Sequence, residues 1–454
     1  MTTLPPGPPL PASVQTALML LWWSAYAFAC QRRYGDVFTV RLAGYGDGVY
    51  LANPDDIKTV FAGDPKIFHA GEANSVLGGI LGRSSVLVLD GDLHRDRRRL
   101  MLAPFAREAV ARQNGLIAQI AAANVAGWPV GTEFAVAPKM SQITLEVILR
   151  TAIGASDPDR LAALRDVMPR LLTLGAFDTL AMARPKLQQR WPWQSLRRNI
   201  AEADALLYAE IAERRAAPNL AERTDALAML VRAADDAGRQ MTDAELRDQL
   251  MTLLLAGHET TANSLSWALE RLTRHPEVLA RAVQAAHASA AGDPAGDEYL
   301  DAIAKETLRI RPVVFDVGRV LKEPVEIAGY QLPAGVTVIP AIGLVHASDA
   351  VYGDAARFRP ERMLPADQAA KATLSPTTWL PFGGGNRRCL GANLALAEMR
   401  IVLREVLRHA DIETTTAPDE RPRLNGIIHQ PHRGARIRVR ALRATQIAAE
   451  NLSR

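Results

Sequence analysis

Cysteine is nearly absent, with two in 454 residues. That excludes a disulfide scaffold and every four-cysteine zinc or iron–sulfur centre, and it points to a reducing, cytoplasmic compartment. Charge of one sign is also scarce. The formal net charge is only +4 although the pI is about 9.1. Tracking a phosphate backbone needs clustered charge, so no nucleic-acid partner is expected. Residues 1–31 carry no charged side chain at all. A signal peptide opens on a positive segment, which this stretch lacks. Its apolar run, residues 14–30, contains Gln15, Thr16 and Ser24 and falls short of the roughly 20 apolar residues that span a bilayer. It reads as a first helix that is buried or dips into an interface, and no membrane partner is expected. Disorder is excluded by a hydrophobic share of 48%.

Internal repeats and Gly/Ser linkers are missing too. The chain therefore reads as one domain over 1–454, with a stiff proline-rich arm at 1–12. What is present is mostly helical spacing. Apolar residues recur at that period over 92–109, 159–174, 196–215, 225–235, 243–274, 277–288, 299–310 and 392–409. Strand signals are few: 37–42, and a pair at 325–327 and 336–339. The expected class is mainly α with a small β portion. The longest helix starts at a capping box, Thr242 with Glu245, and stops before Pro276.

Cys389 lies in the glycine-rich run 381–391, PFGGGNRRCLG, with a helix opening just after it. Tight turns expose backbone N–H groups, and these together with a helix N-terminus favour a thiolate. A single thiolate ligand suits a haem iron, whose ring supplies the other four ligands. Arg387 then stands where it can pair with a propionate. On spacing alone, an inert buried cysteine beside a turn explains the run equally well.

Phe382, Gly385, Arg387, Cys389 and Gly391 form F-x-x-G-x-R-x-C-x-G, which resembles the haem-thiolate signature of the cytochrome P450 monooxygenases. Other elements follow in that family's order. Ala256-Gly257-x-Glu259-Thr260-Thr261 resembles the oxygen-activating segment of its long central helix. Glu306 and Arg309 resemble its E-x-x-R pair. Residues 360–363, PERM, resemble its P-E-R-F element and depart from it at Met363. His94 and Arg98 resemble the pair that meets the haem propionates, and Arg319 matches a further propionate-binding arginine.

The resemblance implies a soluble, bacterial-type cytochrome P450 fold with the long central helix over haem b. Cys389 is the implied axial iron ligand, and His94, Arg98, Arg319 and Arg387 the implied cofactor-binding residues. Thr260 and Glu259 are the implied catalytic pair. A hydroxyl at i+4 from Ala256 can bond back to that carbonyl and loosen the helix into a groove. Glu259 is an acid able to pass protons inward.

The implied activity inserts one atom of O2 into an apolar molecule such as a fatty acid, terpenoid or steroid. Electrons come from an external ferredoxin and ferredoxin reductase. Two rivals share the cysteine: a haem-thiolate peroxygenase or isomerase, and a non-catalytic haem sensor. Candidate pocket segments are 75–89, 171–182, 251–256 and 313–315. Arg95, Arg97, Arg99 and Arg388 read either as a solvated face or as a landing surface for an acidic donor. His258 and His346 lack a second ligand at useful spacing and read as satisfied histidines.

Overall fold

The capping box forms as its spacing predicts. Glu245 N–H donates to Thr242 Oγ1 at 3.3 Å, and Thr242 N–H donates to Glu245 Oε2 at 2.9 Å. From there Asp243–Arg274 runs unbroken for 32 residues, about 48 Å, and ends at His275 before Pro276. Three of its polar side chains are absorbed by the helix itself. Asn263 Nδ2, Ser264 Oγ and Ser266 Oγ each donate to the carbonyl four residues back, at 2.9, 2.8 and 2.6 Å. The helix is thereby buried on several faces at once. The computed structural model describes residues 4–155, 157–172, 194–364 and 374–443.

Helices Ala137–Ile148, Gln194–Ala216, Pro294–Ile310 and Ala392–His409 pack on this central helix. Asn114–Val125 and Pro276–Ala290 pack in turn on Ala392–His409. One large apolar cluster runs through all of them. Sequence periodicity had missed Pro54–Ala62, Asn114–Val125 and Ala137–Ile148. Asn114–Val125 is alanine-rich on every side, so no apolar stripe stands out. The helix expected over 92–109 is split: Gly91–Leu100 ends before Pro104, and Arg107–Ala111 restarts after it.

The strands in chain order are β1 (Val37–Leu42), β2 (Gly46–Leu51), β3 (Phe68–His69), β4 (Glu133–Ala135), β5 (Arg319–Leu321), β6 (Val325–Ile327), β7 (Tyr330–Leu332), β8 (Thr337–Pro340), β9 (Ala410–Glu413), β10 (Pro422–Asn425), β11 (Ile428–Pro431) and β12 (Arg436–Leu442). The largest sheet has the order β1-β2-β8-β5-β3. The expected pairing of 325–327 with 336–339 is corrected. Residues 325–327 turn back on β7 through Ala328 and Gly329, both at positive φ, while β8 pairs with β2 and β5.

The N-terminal helix, Ala12–Tyr34, kinks at Trp22 (φ −141°, ψ 43°). It buries Met19, Ala27 and Cys30 and exposes Leu20, Leu21 and Trp22. Among the described residues, no helix is long and apolar enough to cross a membrane. The proline arm before it lies along β1: Thr39 N–H donates to Pro6 O at 3.0 Å, and Thr39 Oγ1 to Pro5 O at 2.8 Å.

Glu306 anchors the end of helix Pro294–Ile310. Its two oxygens accept from Arg309 Nε and Nη2 at 2.8 and 2.7 Å and from Arg362 Nε at 3.1 Å. Arg362 also donates to Tyr352 O at 2.7 Å and Asp354 Oδ1 at 2.7 Å. Glu306, Arg309 and Arg362 thus form a buried network.

Candidate active site

The cysteine loop is shaped by its glycines. Gly383 and Gly385 take φ of 66° and 63°, a region that suits glycine. A Cβ on Gly384 or Gly385 would run into Phe61, at the end of helix Pro54–Ala62. The loop is therefore pressed flat on that helix, and Cys389 N–H closes it by donating to Phe382 O at 2.9 Å. Cys389 is exposed, but to an internal cavity that it lines and not to bulk solvent. Burial pushes its thiol up, against the Gly391 N–H and the Arg98 and Arg388 charges that lower it. In the loop alone, burial outweighs the turn and helix-terminus effects that favour a thiolate. A metal bound there would displace the proton and stabilise the thiolate.

The cavity measures about 330 Å³. His94, Arg98, Arg319 and Arg387 line it together with Cys389, as do Gly257 and Thr260 of the central helix. Arg387 is already engaged: it donates to Asp90 Oδ1 at 2.6 Å and to Val86 O at 3.2 Å. Arg98 donates to Arg388 O at 2.6 Å, and Arg319 to Gly318 O at 2.7 Å. Among the described residues neither has a carboxylate at ion-pairing distance. Burial, then the Arg387 charge, brings Arg319 down to about 10. Burial, then Arg387 and Arg98, pushes His94 down to about 3, so it is neutral. Three guanidiniums against Asp90 leave two positive charges unmatched.

On the central helix, Thr260 Oγ1 donates to Ala256 O at 2.7 Å. The back-bond expected from the spacing is made, yet the helix does not open there. Gly257 is explained by a neighbour as well: a Cβ on it would sit 3.1 Å from Ile148 Cδ1. Glu259 does not line the cavity. One residue away is about 100° round a helix, and its Oε1 accepts from Asn425 Nδ2 of β10 at 3.3 Å. Burial raises its carboxyl to about 7, with Asn425 pulling the other way. His258 Nε2 pairs with Ser141 Oγ at 2.8 Å, and His346 Nε2 accepts from Leu380 N–H at 2.9 Å.

A family model for cytochrome P450 matches residues 5–437. The chain belongs to the cytochrome P450 family. A Mycobacterium tuberculosis relative, cytochrome P450 135B1, is 70% identical over 440 residues, covering 97% of this chain and 92% of its own. Cytochrome P450 135A1 of the same organism is 39% identical over 441 residues, covering 96% and 95%. Both relatives carry provisional names that give a family and no substrate. Among solved structures, a retinoic-acid-bound cyanobacterial cytochrome P450, CYP120A1, matches with a TM-score of 0.84 at 24% identity. It covers 98% of this chain and 100% of that one, and shows the shared fold.

The protein is a cytochrome P450 monooxygenase, an oxidoreductase whose cofactor is haem b. The cavity fits that cofactor. It offers one cysteine sulfur, apolar walls, and the guanidinium charges of Arg98 and Arg319, which have no carboxylate partner among the described residues, for the propionates.

Sequence reasoning missed two members of the site. Phe61 seats the glycine loop, and nothing in its local sequence marks it. Glu398 lines the cavity, is 2% exposed, and has an Oε1 with no hydrogen-bond partner. Burial pushes its carboxyl well up, so it is uncharged. Its spacing from Leu394 and Ala395 on one helical face was the available signal. Of the pocket segments, Val86, Leu87, Leu253, Val313 and Val314 do line the cavity, whereas 173–182 lies outside the described residues.

Proposed function

We propose that this cytochrome P450 hydroxylates or epoxidises a small apolar molecule of the fatty acid, terpenoid or steroid kind, in the cytoplasm, with electrons from a ferredoxin and its reductase. The observation that carries the substrate class is the cavity wall. Leu87, Leu253, Leu308, Val313, Val314 and Val317 give it an apolar lining, and of its arginines Arg98, Arg319 and Arg387 are taken up by the cofactor and Asp90. Two free cysteines, neither in a disulfide, agree with a reducing compartment.

When bound, haem b supplies a reducible iron at which O2 is activated. Cys389 Sγ would ligate its iron. Arg98 and Arg319 would hold the propionates, with neutral His94 donating a hydrogen bond beside them and Arg387 held in place by Asp90. Thr260 Oγ1 turns from the Ala256 carbonyl to hold a water and its proton in the cavity. Glu259 picks up a proton where Asn425 meets it and, by rotating, hands it toward Thr260.

A substrate screen by the shift of the haem spectrum, followed by turnover with ferredoxin, reductase and NAD(P)H, tests the reading. Full activity with peroxide and none with the donor would replace it by a peroxygenase. Ligand binding without turnover would leave a sensor.

Thr260→Ala should leave the spectrum intact while NAD(P)H consumption continues. Product should fall by about 10²–10⁴-fold as hydrogen peroxide rises. Unchanged product per NAD(P)H would remove Thr260 from proton delivery. The protonated Glu259 carboxyl is the donor, so turnover should decline as pH rises through about 7. Glu259→Gln should slow turnover and flatten that decline.

The donor surface is smaller than the sequence suggested. Arg97 is buried on Glu245, and Arg95 and Arg99 pair with Asp92 and Asp236 at 2.9 and 2.7 Å. Arg388 is exposed, with no carboxylate at ion-pairing distance among the described residues. Electron transfer should slow as salt rises to physiological strength, where the Debye length is about 8 Å. Arg388→Glu should slow it further at low salt. Rates indifferent to both would return these arginines to an ordinary solvated face.

A further inference from the structure

A second cavity, of about 440 Å³, lies between the N-terminal helix, the C-terminal end of Pro294–Ile310 and the β10–β11 hairpin. It shares no lining residue with the haem cavity. The segment 312–315 is the partition: Pro312 and Phe315 face this cavity, while Val313 and Val314 line the other. Its exposed lining residues are Ala347, Asp349, Ala356 and Pro422.

Arg311 lines it and is underused. A guanidinium has five N–H donors. Arg311 Nη1 makes a 3.2 Å bond to the adjacent Ile310 O, while Nε is buried with no partner. Its guanidinium carbon is held 5.2 Å from the centre of the Trp267 ring. No carboxylate ion-pairs with it among the described residues. Glu270 and Asp419 act on it only by charge, and both are shared by Arg271 and Arg274. Those three arginines and two carboxylates leave one positive charge over. Burial is the main cause that brings Arg311 down to about 10, which still leaves it charged.

The other polar lining groups are occupied or neutral. Arg309 is locked on Glu306, and His346 Nε2 accepts from Leu380 N–H. Asp349 Oδ1 accepts from Ala355 N–H at 2.8 Å. His429 is buried, and its ring stands edge-on to Phe315 with centroids 5.5 Å apart. Phe28, Phe315, Trp267 and Pro422 make the rest a largely aromatic and apolar wall. A half-buried, unmatched cation behind flat apolar walls is the complement of a planar organic anion.

We propose that this cavity is a second ligand site, separate from the haem, which takes a small aromatic or alicyclic monocarboxylate with its carboxylate on Arg311 and its ring between Trp267, Phe28 and Phe315.

The test uses the haem-loaded full chain with its iron held by saturating imidazole, so that the first cavity is closed to competitors. Calorimetric titration with 2-naphthoate should show one site. The neutral 2-naphthamide should bind more weakly. Arg311→Gln should weaken 2-naphthoate by about 10–100-fold and leave 2-naphthamide unchanged. Ser24→Trp, which fills the cavity from the N-terminal helix, should abolish binding of both while the thiolate spectrum of the reduced carbon monoxide complex persists. That variant decides the matter if Arg311→Gln fails to fold. No binding of 2-naphthoate at millimolar concentration would overturn the proposal. So would binding lost on adding imidazole, or binding indifferent to the charge of the ligand and to the variant that folds.

Discussion

Cys389→Ser should abolish the thiolate-type spectrum of the reduced carbon monoxide complex, and turnover with it. A hydroxyl is not an anion at neutral pH, so the iron loses its charged axial ligand while Arg98 and Arg319 still offer their charges to the propionates. Haem should therefore be retained in part, with an altered spectrum. Cys30→Ser is the control. Cys30 is buried with Met19 and Ala27 in the core beneath the N-terminal helix, and it lines no part of the haem cavity. Its replacement should leave the spectrum as it is. The reverse pattern, with Cys30 required and Cys389 dispensable, would refute the ligand assignment.

The second large effect belongs to a residue that never meets the substrate. Glu306→Ala removes the shared acceptor of Arg309 and Arg362, whose side chains are 0% and 2% exposed. Buried Arg309 then loses its carboxylate and Arg362 keeps Asp354, a change that costs about 3–5 kcal/mol. Thermal unfolding of the haem-loaded protein, followed by circular dichroism, should shift sharply downward, and haem should be lost earlier on heating. Arg281→Ala offers the comparison. It breaks the pair with Glu361, whose members are 54% and 32% exposed, and such pairs contribute about 0–1 kcal/mol. Equal melting of the two variants would mean that the buried network contributes no more than a surface pair. Replacing all three members by apolar residues of similar volume should recover much of the loss.

These two cases also show what a sequence can display. Local chemistry was legible. The capping box and Pro276 marked both ends of the central helix, and the spacing of Glu306 and Arg309 put them on one face. The cysteine signature picked out a residue that does line the haem cavity, and the Thr260 back-bond followed from i, i+4 geometry alone. What stayed hidden depends on contacts between distant segments. Arg97 reads as a surface charge until Glu245, far along the chain, takes it inside. Gly384 and Gly385 read as turn-formers until Phe61 arrives against them. Strand pairing in the β5–β8 region was misread because β8 finds its partner in β2, nearly 300 residues earlier. Glu259 beside Thr260 looked like one functional pair, but neighbours on a helix point different ways, and β10 claims the acid.

The proline arm has a consequence for how molecules of this protein meet one another. β1 is the outermost strand of the largest sheet. An outer strand normally presents a row of free N–H and C=O groups that a second molecule can extend, which is the route to edge-to-edge aggregation. Here that row is met by Pro5 and Pro6, which supply carbonyls to Thr39 and have no N–H to pass on. Gly7 lets the arm lie this close, since a Cβ there would strike Thr39 O. A strand in its place would itself become a new edge. Prolines end the series, so the arm acts as a terminator of sheet growth at the β1 edge, while the opposite edge, β3, is only two residues long.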